Sequence, residues 1–321
     1  MATTTLEPTP GGFAHLPVQT DLAALEAEVA VLGVPYGVPL GLVPGARDDS
    51  AAAPAAIRAE SRRFGDTRGH HDFDLGGTLL AGRDVRIVDC GDVPGAPDDH
   101  AGNGRRTAEA VRAILERGAV PVVFGGDDSI PIPLFRAYEG RGPLTIVQID
   151  AHIDWRDEVG GVREGYSSTM RRASEMDWIA GIVQVGMRGV GSARPAEVRD
   201  ALAYGATIIP AREVHDRGVE HVLGRVPDGG NYLVTIDCDG LDPAVMPGVI
   251  SPNPGGLTYH QVTAILHGLA RKGRIAGFDL VELVPARDVN GVSALTAGRL
   301  ALNLIGAMVR SGQLGRRLGH G

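Results

Sequence analysis

Eight apolar runs recur along the 321-residue chain, at 28–34, 84–90, 119–124, 144–149, 181–187, 206–210, 231–236 and 274–280. Most are continuous rather than alternating, which is the pattern of strands covered on both faces. Between them lie segments with helical spacing, among them 103–117, 196–203 and 259–271. Strands and helices in alternation predict an α/β fold with a mostly parallel, roughly eight-stranded sheet. A hydrophobic content of 43% is ample for its core. No Gly-, Ser- or Pro-rich linker and no internal repeat divides the chain, so residues 21–321 are expected to form one domain and residues 1–20 a mobile tail.

Two of the runs lead straight into carboxylates. The run at 144–149 is followed by Asp150-Ala151-His152-Ile153-Asp154, and the run at 231–236 by Asp237-Cys238-Asp239-Gly240-Leu241-Asp242-Pro243. Alternate residues of a strand face the same side, so Asp150, His152 and Asp154 are expected to converge, as are Asp237 and Asp239. A single acid after a strand is ordinarily a solvated loop residue. Adjacent buried carboxylates repel unless a cation neutralises them, so the two clusters together predict a binuclear metal site, with Asp237 bridging the ions. An EF-hand is excluded, because the position of its bidentate Glu is Gly248. Ligands of parallel sheets bind beyond the carboxyl ends of the strands, where both clusters lie.

Gly125-Gly126-Asp127-Asp128-Ser129 separates a strand from a helix expected to start near Pro131 with Ser129 as its cap. A phosphate cradle is disfavoured there by the missing Lys and the paired acids, whereas close backbone approach puts Asp127 and Asp128 within reach of a metal. Glu282 follows the last run and is suited to gripping a planar cation through two parallel hydrogen bonds. Residues 247–256, with three prolines and three glycines, read as a rigid loop over the mouth. The net charge of −8 and pI near 5.7, without a Lys/Arg patch, argue against a nucleic-acid partner. No signal or transit segment and no membrane-spanning run is expected, and Cys90 and Cys238 sit in apolar surroundings, so the expected location is a reducing cytoplasm.

In the order and spacing of these pieces, together with Val183-Gln184-Val185-Gly186-Met187-Arg188-Gly189, the stretch 235–258 and Gly277-Phe278-Asp279-Leu280-Val281-Glu282, the chain resembles the ureohydrolase superfamily, the arginase and agmatinase group. The resemblance covers about 31–305 and implies a three-layer αβα fold, a homotrimer or homohexamer, a binuclear manganese centre, and cleavage of a guanidino compound to an amine plus urea. It places metal ligands at Asp150, His152, Asp154, Asp237 and Asp239, and the guanidinium carboxylate at Glu282. Two positions depart from the family pattern. Asp128 stands where a His ligand is usual, and Ser167 in Tyr166-Ser167-Ser168-Thr169 stands where a His-Gly pair is usual, although a hydroxyl does not shuttle protons near neutral pH.

Two divalent ions would acidify a water for attack on the guanidino carbon, with Asp154 or Asp127 relaying a proton to the leaving amine. Arg163, Ser167 and Asn253 are expected to meet the rest of the substrate. Oxygen-rich coordination suits manganese or magnesium, with nickel or zinc compatible, and it is the resemblance that implies manganese. Agmatine is the expected substrate by resemblance, with guanidinobutyrate, guanidine or a biguanide as alternatives. The two departures also motivate a rival reading, a weakly active or non-catalytic partner subunit of a mixed oligomer.

Overall fold

The computed structural model describes residues 5–38, 50–96, 98–191 and 193–315. Each apolar run forms a strand: β1 Val29–Gly33, β2 Ile87–Asp92, β3 Val120–Phe124, β4 Leu144–Ile149, β5 Ile179–Met187, β6 Thr207–Pro210, β7 Asn231–Asp237 and β8 Arg274–Val281. They make one eight-stranded sheet in the order β2-β1-β3-β8-β7-β4-β5-β6, every pairing parallel. Parallel neighbours need crossovers, and the helices supply them.

The strands feed two cores by alternation. In β3, Val122 and Phe124 face one side and Val123 the other, and in β7 Val234 and Ile236 oppose Leu233. The first face is covered by α1 (Ala53–Gly65), α6 (Ala211–Arg217), α7 (Val219–Leu223), α8 (Tyr259–Lys272) and α9 (Val292–Ser311). The second is covered by α2 (His100–Glu116), α3 (Pro131–Arg136), α4 (Thr169–Ala173) and α5 (Pro195–Tyr204). Removing each Val, Leu or Ile side chain from water contributes about 1.5–3 kcal/mol, so the sandwiched sheet forms the rigid base on which its loops are mounted. Local signals set the helix ends: Thr258 accepts from Gln261 N at 3.2 Å while Gln261 Oε1 accepts from Thr258 N at 2.9 Å, closing a capping box on α8.

Two expectations need correction. Residues 5–20 are not a free tail. Glu7 and Val18 bridge to Asp92 and Asp89 of β2, and Phe13 is fully buried with its ring 5.1 Å from that of Phe124. Phe13 N also donates to Asp89 Oδ2 at 2.7 Å, and that carboxylate is held in turn by Arg58 Nε at 2.8 Å. An aromatic anchor and a buried ion pair therefore fix a segment without helical or strand periodicity. Helix α9, moreover, is long and apolar enough to cross a membrane by length and composition, but 83% of its apolar 18-residue window is buried in the fold, and the helix packs against α1 and α8. It is a core helix.

Candidate metal centre

Five adjacent strands, β3-β8-β7-β4-β5, deliver their following loops to one end of the sheet. There they surround a cleft of about 510 Å³. Asp128 comes from the β3 loop, Glu282 from β8, Asp237 and Asp239 from β7, His152 and Asp154 from β4, and Val190 and Gly191 from β5. Residues 250–253 of the mouth loop complete the rim.

Strand alternation is not what makes the acids converge. β4 ends at Ile149, and the chain from Asp150 bends back on itself, with Asp154 at φ +43°. β7 ends at Asp237, whose Oδ1 accepts from Asp239 N at 2.8 Å and caps a single 3₁₀ turn, Cys238–Gly240. Asp239 is thus presented by a turn. The close approach of these loops needs glycine at two places. A Cβ on Gly240 would lie 2.6 Å from Asp150 N, and one on Gly186, itself at φ +108°, would lie 2.7 Å from Asp150 O. Glu282 also has a left-handed backbone, at φ +64°, with its N–H donating to Gly126 O at 2.8 Å. Two non-glycine residues in this costly region both aim carboxylates into one cleft, as functional sites often do.

Two groups of side chains have ligand atoms that all lie within 4.8 Å of one another: Asp150 with His152 and Asp239, and Asp128 with Asp150 and Asp154. Asp150 is common to both. Asp237, expected to bridge, lines the cleft but joins neither group in this arrangement. Most of these carboxylates already hold a hydrogen bond that fixes their direction. Asp150 Oδ1 accepts from His152 N at 2.6 Å and Asp239 Oδ1 from Ala151 N at 3.1 Å. The side chain of Gln148 donates to both Asp150 Oδ2 (2.6 Å) and Asp154 Oδ2 (2.9 Å). Gln148 is itself held by Gln184 Nε2 at 2.6 Å, which also donates to Ile153 O.

Asp128 is different, because both of its carboxylate oxygens are buried without a hydrogen-bond partner. Its backbone is firmly placed, with Asp128 N donating to Glu282 Oε1 at 2.9 Å and Thr169 Oγ1 donating to Asp128 O. Burial, then the charges of Asp154 and Glu282, push the Asp128 carboxyl far above the usual carboxylate range. Burial likewise raises Asp150 and Asp237, with neighbouring acids adding to it, and raises Asp154 against the opposing pull of its hydrogen bonds to Asp150 and Gln148 and of His152. Burial alone would lower His152, but its hydrogen bond to Asp239 and the surrounding carboxylates outweigh that and raise it to about 9.

Other expected site residues fall differently. Ser167 and Asn253 line the cleft, and Asn253 is tied to Arg188, its Nδ2 donating to Arg188 O at 3.2 Å. Asp127 does not line it: its Oδ1 accepts from Ser129 N at 2.9 Å and its carboxylate packs against Gly37, so it shapes the turn. Ser129 consequently does not cap α3, whose N-cap is Ile130. Arg163 also lies outside, half-exposed and paired with Asp157 at 3.1 Å and Glu175 at 3.5 Å, because the loop carries acids of its own to hold it. Gln148, Gln184 and Arg188 had no role assigned from sequence. The guanidinium of Arg188 donates to Gly240 O (3.3 Å) and Asn253 O (3.0 Å), joining the β7 loop to the mouth loop. A Gln inside a continuous apolar strand was a usable signal, since a buried amide demands partners.

A pair of divalent ions fits these residues. An orphaned buried carboxylate, a set of acids driven to hold protons, and two oxygen- and nitrogen-bearing groups sharing one member are what a dinuclear site looks like before neutralisation. Asp128, Asp150 and Asp154 would hold one ion, and Asp150, His152 and Asp239 the other, with Asp237 alongside.

Comparison with known proteins agrees with this geometry. Residues 27–306 match the Arginase family. The mitochondrial agmatinase of Gallus gallus is 34% identical over 301 residues, covering 91% of this chain and 83% of the relative. The guanidinopropionase of Pseudomonas aeruginosa is 33% identical over 305 residues, covering 93% and 92%. Among solved structures, proclavaminate amidino hydrolase from Streptomyces clavuligerus superposes with a TM-score of 0.80 at 28% identity, covering 95% of this chain and 98% of that one. The chain belongs to the arginase family.

Proposed function

We propose that this chain is an amidinohydrolase that cleaves the C–N bond of a substituted guanidine to release urea and an amine. The observation that carries the reading is the pair of ligand groups sharing Asp150, with the Glu282 carboxylate in the same cleft. Two divalent cations, manganese by family resemblance, supply when bound the Lewis acidity that makes a water nucleophilic at neutral pH. The protein's own contribution is orientation and proton handling. Glu282, fixed by its bond to Asp128 N, offers a carboxylate to two N–H groups of the planar guanidinium. Asp154, placed in the cleft beside Asp128 and Asp150, takes the proton that the attacking water gives up and passes it to the departing amine. Asp127, whose Oδ1 accepts from Ser129 N and which does not line the cleft, is the less favoured of the two relay candidates. The mouth loop, locked down by Arg188, limits access of bulk water.

Agmatine, guanidinobutyrate and other alkylguanidines share this headgroup. The two cysteines are buried and unpaired, in keeping with the expected reducing cytoplasm, and a homotrimer or homohexamer stays part of the proposal. The test is a urea-release screen over guanidino compounds with the protein loaded in turn with manganese, nickel, cobalt and zinc. Urea from at least one compound by protein holding two ions per chain is expected. A purified chain that binds no metal and releases no urea would overturn the reading in favour of a non-catalytic subunit. Glu282→Gln should keep both metals yet lose on the order of 2–3 kcal/mol in kcat/KM, because an amide offers one acceptor where the carboxylate offers two. Unchanged kcat/KM on every substrate would remove Glu282 from guanidinium recognition.

A further inference from the structure

Among the described residues that line the cleft, Arg156 is the one permanent cation. It follows Asp154 by two residues, and its backbone N–H donates to Ser167 O at 3.0 Å, fastening it to the wall that also carries Tyr166. Its guanidinium is uncommitted: Nε is buried without a hydrogen-bond partner, and no carboxylate of the described residues lies within 4.0 Å of it. The neighbouring arginines are engaged through their guanidinium nitrogens, although Arg172 Nε too is buried without a partner. Arg163 and Arg172 hold Asp157, Arg171 holds Glu175, and Arg188 is spent on backbone carbonyls. An arginine with a donor withdrawn from water and left unpaired, on the wall of a cleft whose floor is otherwise acidic, is costly unless a ligand completes it.

We propose that Arg156 receives the carboxylate of an ω-guanidino acid, so that the substrate spans the cleft with its guanidinium on Glu282 and its acid on Arg156. The proposal rests on the guanidino hydrolysis reading and names the substrate class for that same site. The fork of five N–H donors matches a carboxylate in two parallel charge-assisted bonds. The ammonium of agmatine, by contrast, would be brought against a like charge in a partly desolvated cleft, which is disfavoured. Arg156 thus takes the place that the loop sequence suggested for Arg163.

The experiment compares kcat/KM for 4-guanidinobutyrate and 3-guanidinopropionate with that for agmatine, using metal-loaded full-length protein and its Arg156→Gln and Arg156→Glu variants. The ratio of acid to amine substrate is internally corrected for any loss of folded enzyme. Wild type is expected to prefer a guanidino acid, the ratio to fall by about 10- to 100-fold in Arg156→Gln, mainly through KM, and to fall further in Arg156→Glu. A wild-type preference for agmatine would overturn the proposal, as would a ratio that neither variant moves. If wild type with two ions per chain releases urea from none of the three and from no other guanidino compound, the hydrolysis reading has failed; if it turns over only others, the assignment of the substrate class has failed alone.

Discussion

The two ligand groups of the cleft share Asp150 but differ in how each tolerates the absence of a cation. In the group of Asp150, His152 and Asp239, the imidazole Nδ1 lies 3.3 Å from Asp239 Oδ2 and 3.5 Å from Asp150 Oδ1, and with His152 raised to about 9 it is an imidazolium at neutral pH. That group compensates itself. The group of Asp128, Asp150 and Asp154 contains no base, only the side-chain amide of Gln148 divided between two acids, while Asp128 has nothing. It must hold protons or a cation. The aspartate where the family pattern has a His thus falls in the group that was already poorer in positive charge, and leaves its occupancy more dependent on metal than that of its neighbour.

The largest expected effect separates the shared ligand from an unshared one. Asp150→Ala should take bound metal from two ions per chain to none and cost several kcal/mol of catalysis, about a thousandfold or more in rate. Asp128→Ala should leave one ion, held by His152, Asp239 and the retained Asp150. Metal analysis after dialysis, with urea release on the same samples, reads both. An Asp150→Ala protein that retains an ion, or an Asp128→Ala protein that loses both, would break the picture of two sites hinged on one carboxylate.

Gln148→Met comes next. It preserves side-chain length and burial but removes the amide that orients Asp150 and Asp154, so metal affinity should drop by about 10- to 100-fold, the usual consequence of losing a partner behind a metal ligand. The loss should fall on the all-carboxylate group first, because the His152 group keeps its backbone donors to Asp150 and Asp239. Titration calorimetry showing both binding steps weakened equally would mean that Gln148 does not distinguish the two.

How much of this was legible in the sequence depended on whether a property belongs to a residue or to its surroundings. The strands were readable because burial on both faces forces unbroken apolar runs, and the acids stood out because nothing else explains charges at their ends. The mode of convergence was not readable. Strand alternation suggested it, whereas a left-handed bend at Asp154 and a 3₁₀ turn after Asp237 produce it. Asp127 and Asp128 are chemically identical neighbours, and only the approach of Gly37 and Ser129 to one of them tells the turn-former from the residue that lines the cleft. The same holds for Arg163 and Arg156 in one mixed-charge loop: the partners Asp157 and Glu175 consume the first and leave the second to the cleft. Residues 5–20 have no periodicity to betray them, and scattered anchors, Phe13 chief among them with Leu6, Ala14, Leu16 and two bridges to β2, bind them to the core.

The smallest effect concerns Asp279, a buried acid on β8 whose charge helps raise Asp128. Thr235 Oγ1 donates to its Oδ1 at 2.7 Å, but burial dominates and pushes its carboxyl up to about 8. An unfolded chain releases this proton near the ordinary value of 3.8, while the folded one keeps it to about 8, so between those limits the native state binds the extra proton. Stability from this group is therefore fully present below the unfolded value and is lost as pH climbs toward the folded one, at up to about 1.4 kcal/mol per pH unit. Asp279→Asn keeps the acceptor for Thr235 and abolishes the titration. Metal-free wild type and variant, unfolded by urea at pH 5, 6, 7 and 8, should both weaken with rising pH, because Asp128, Asp150 and Asp237 titrate in the same direction. The variant's slope should be shallower by about one proton's worth. Slopes that coincide would show that Asp279 carries no proton in the folded protein, and that the excess of buried acid beneath the Asp128 group is smaller than its surroundings imply.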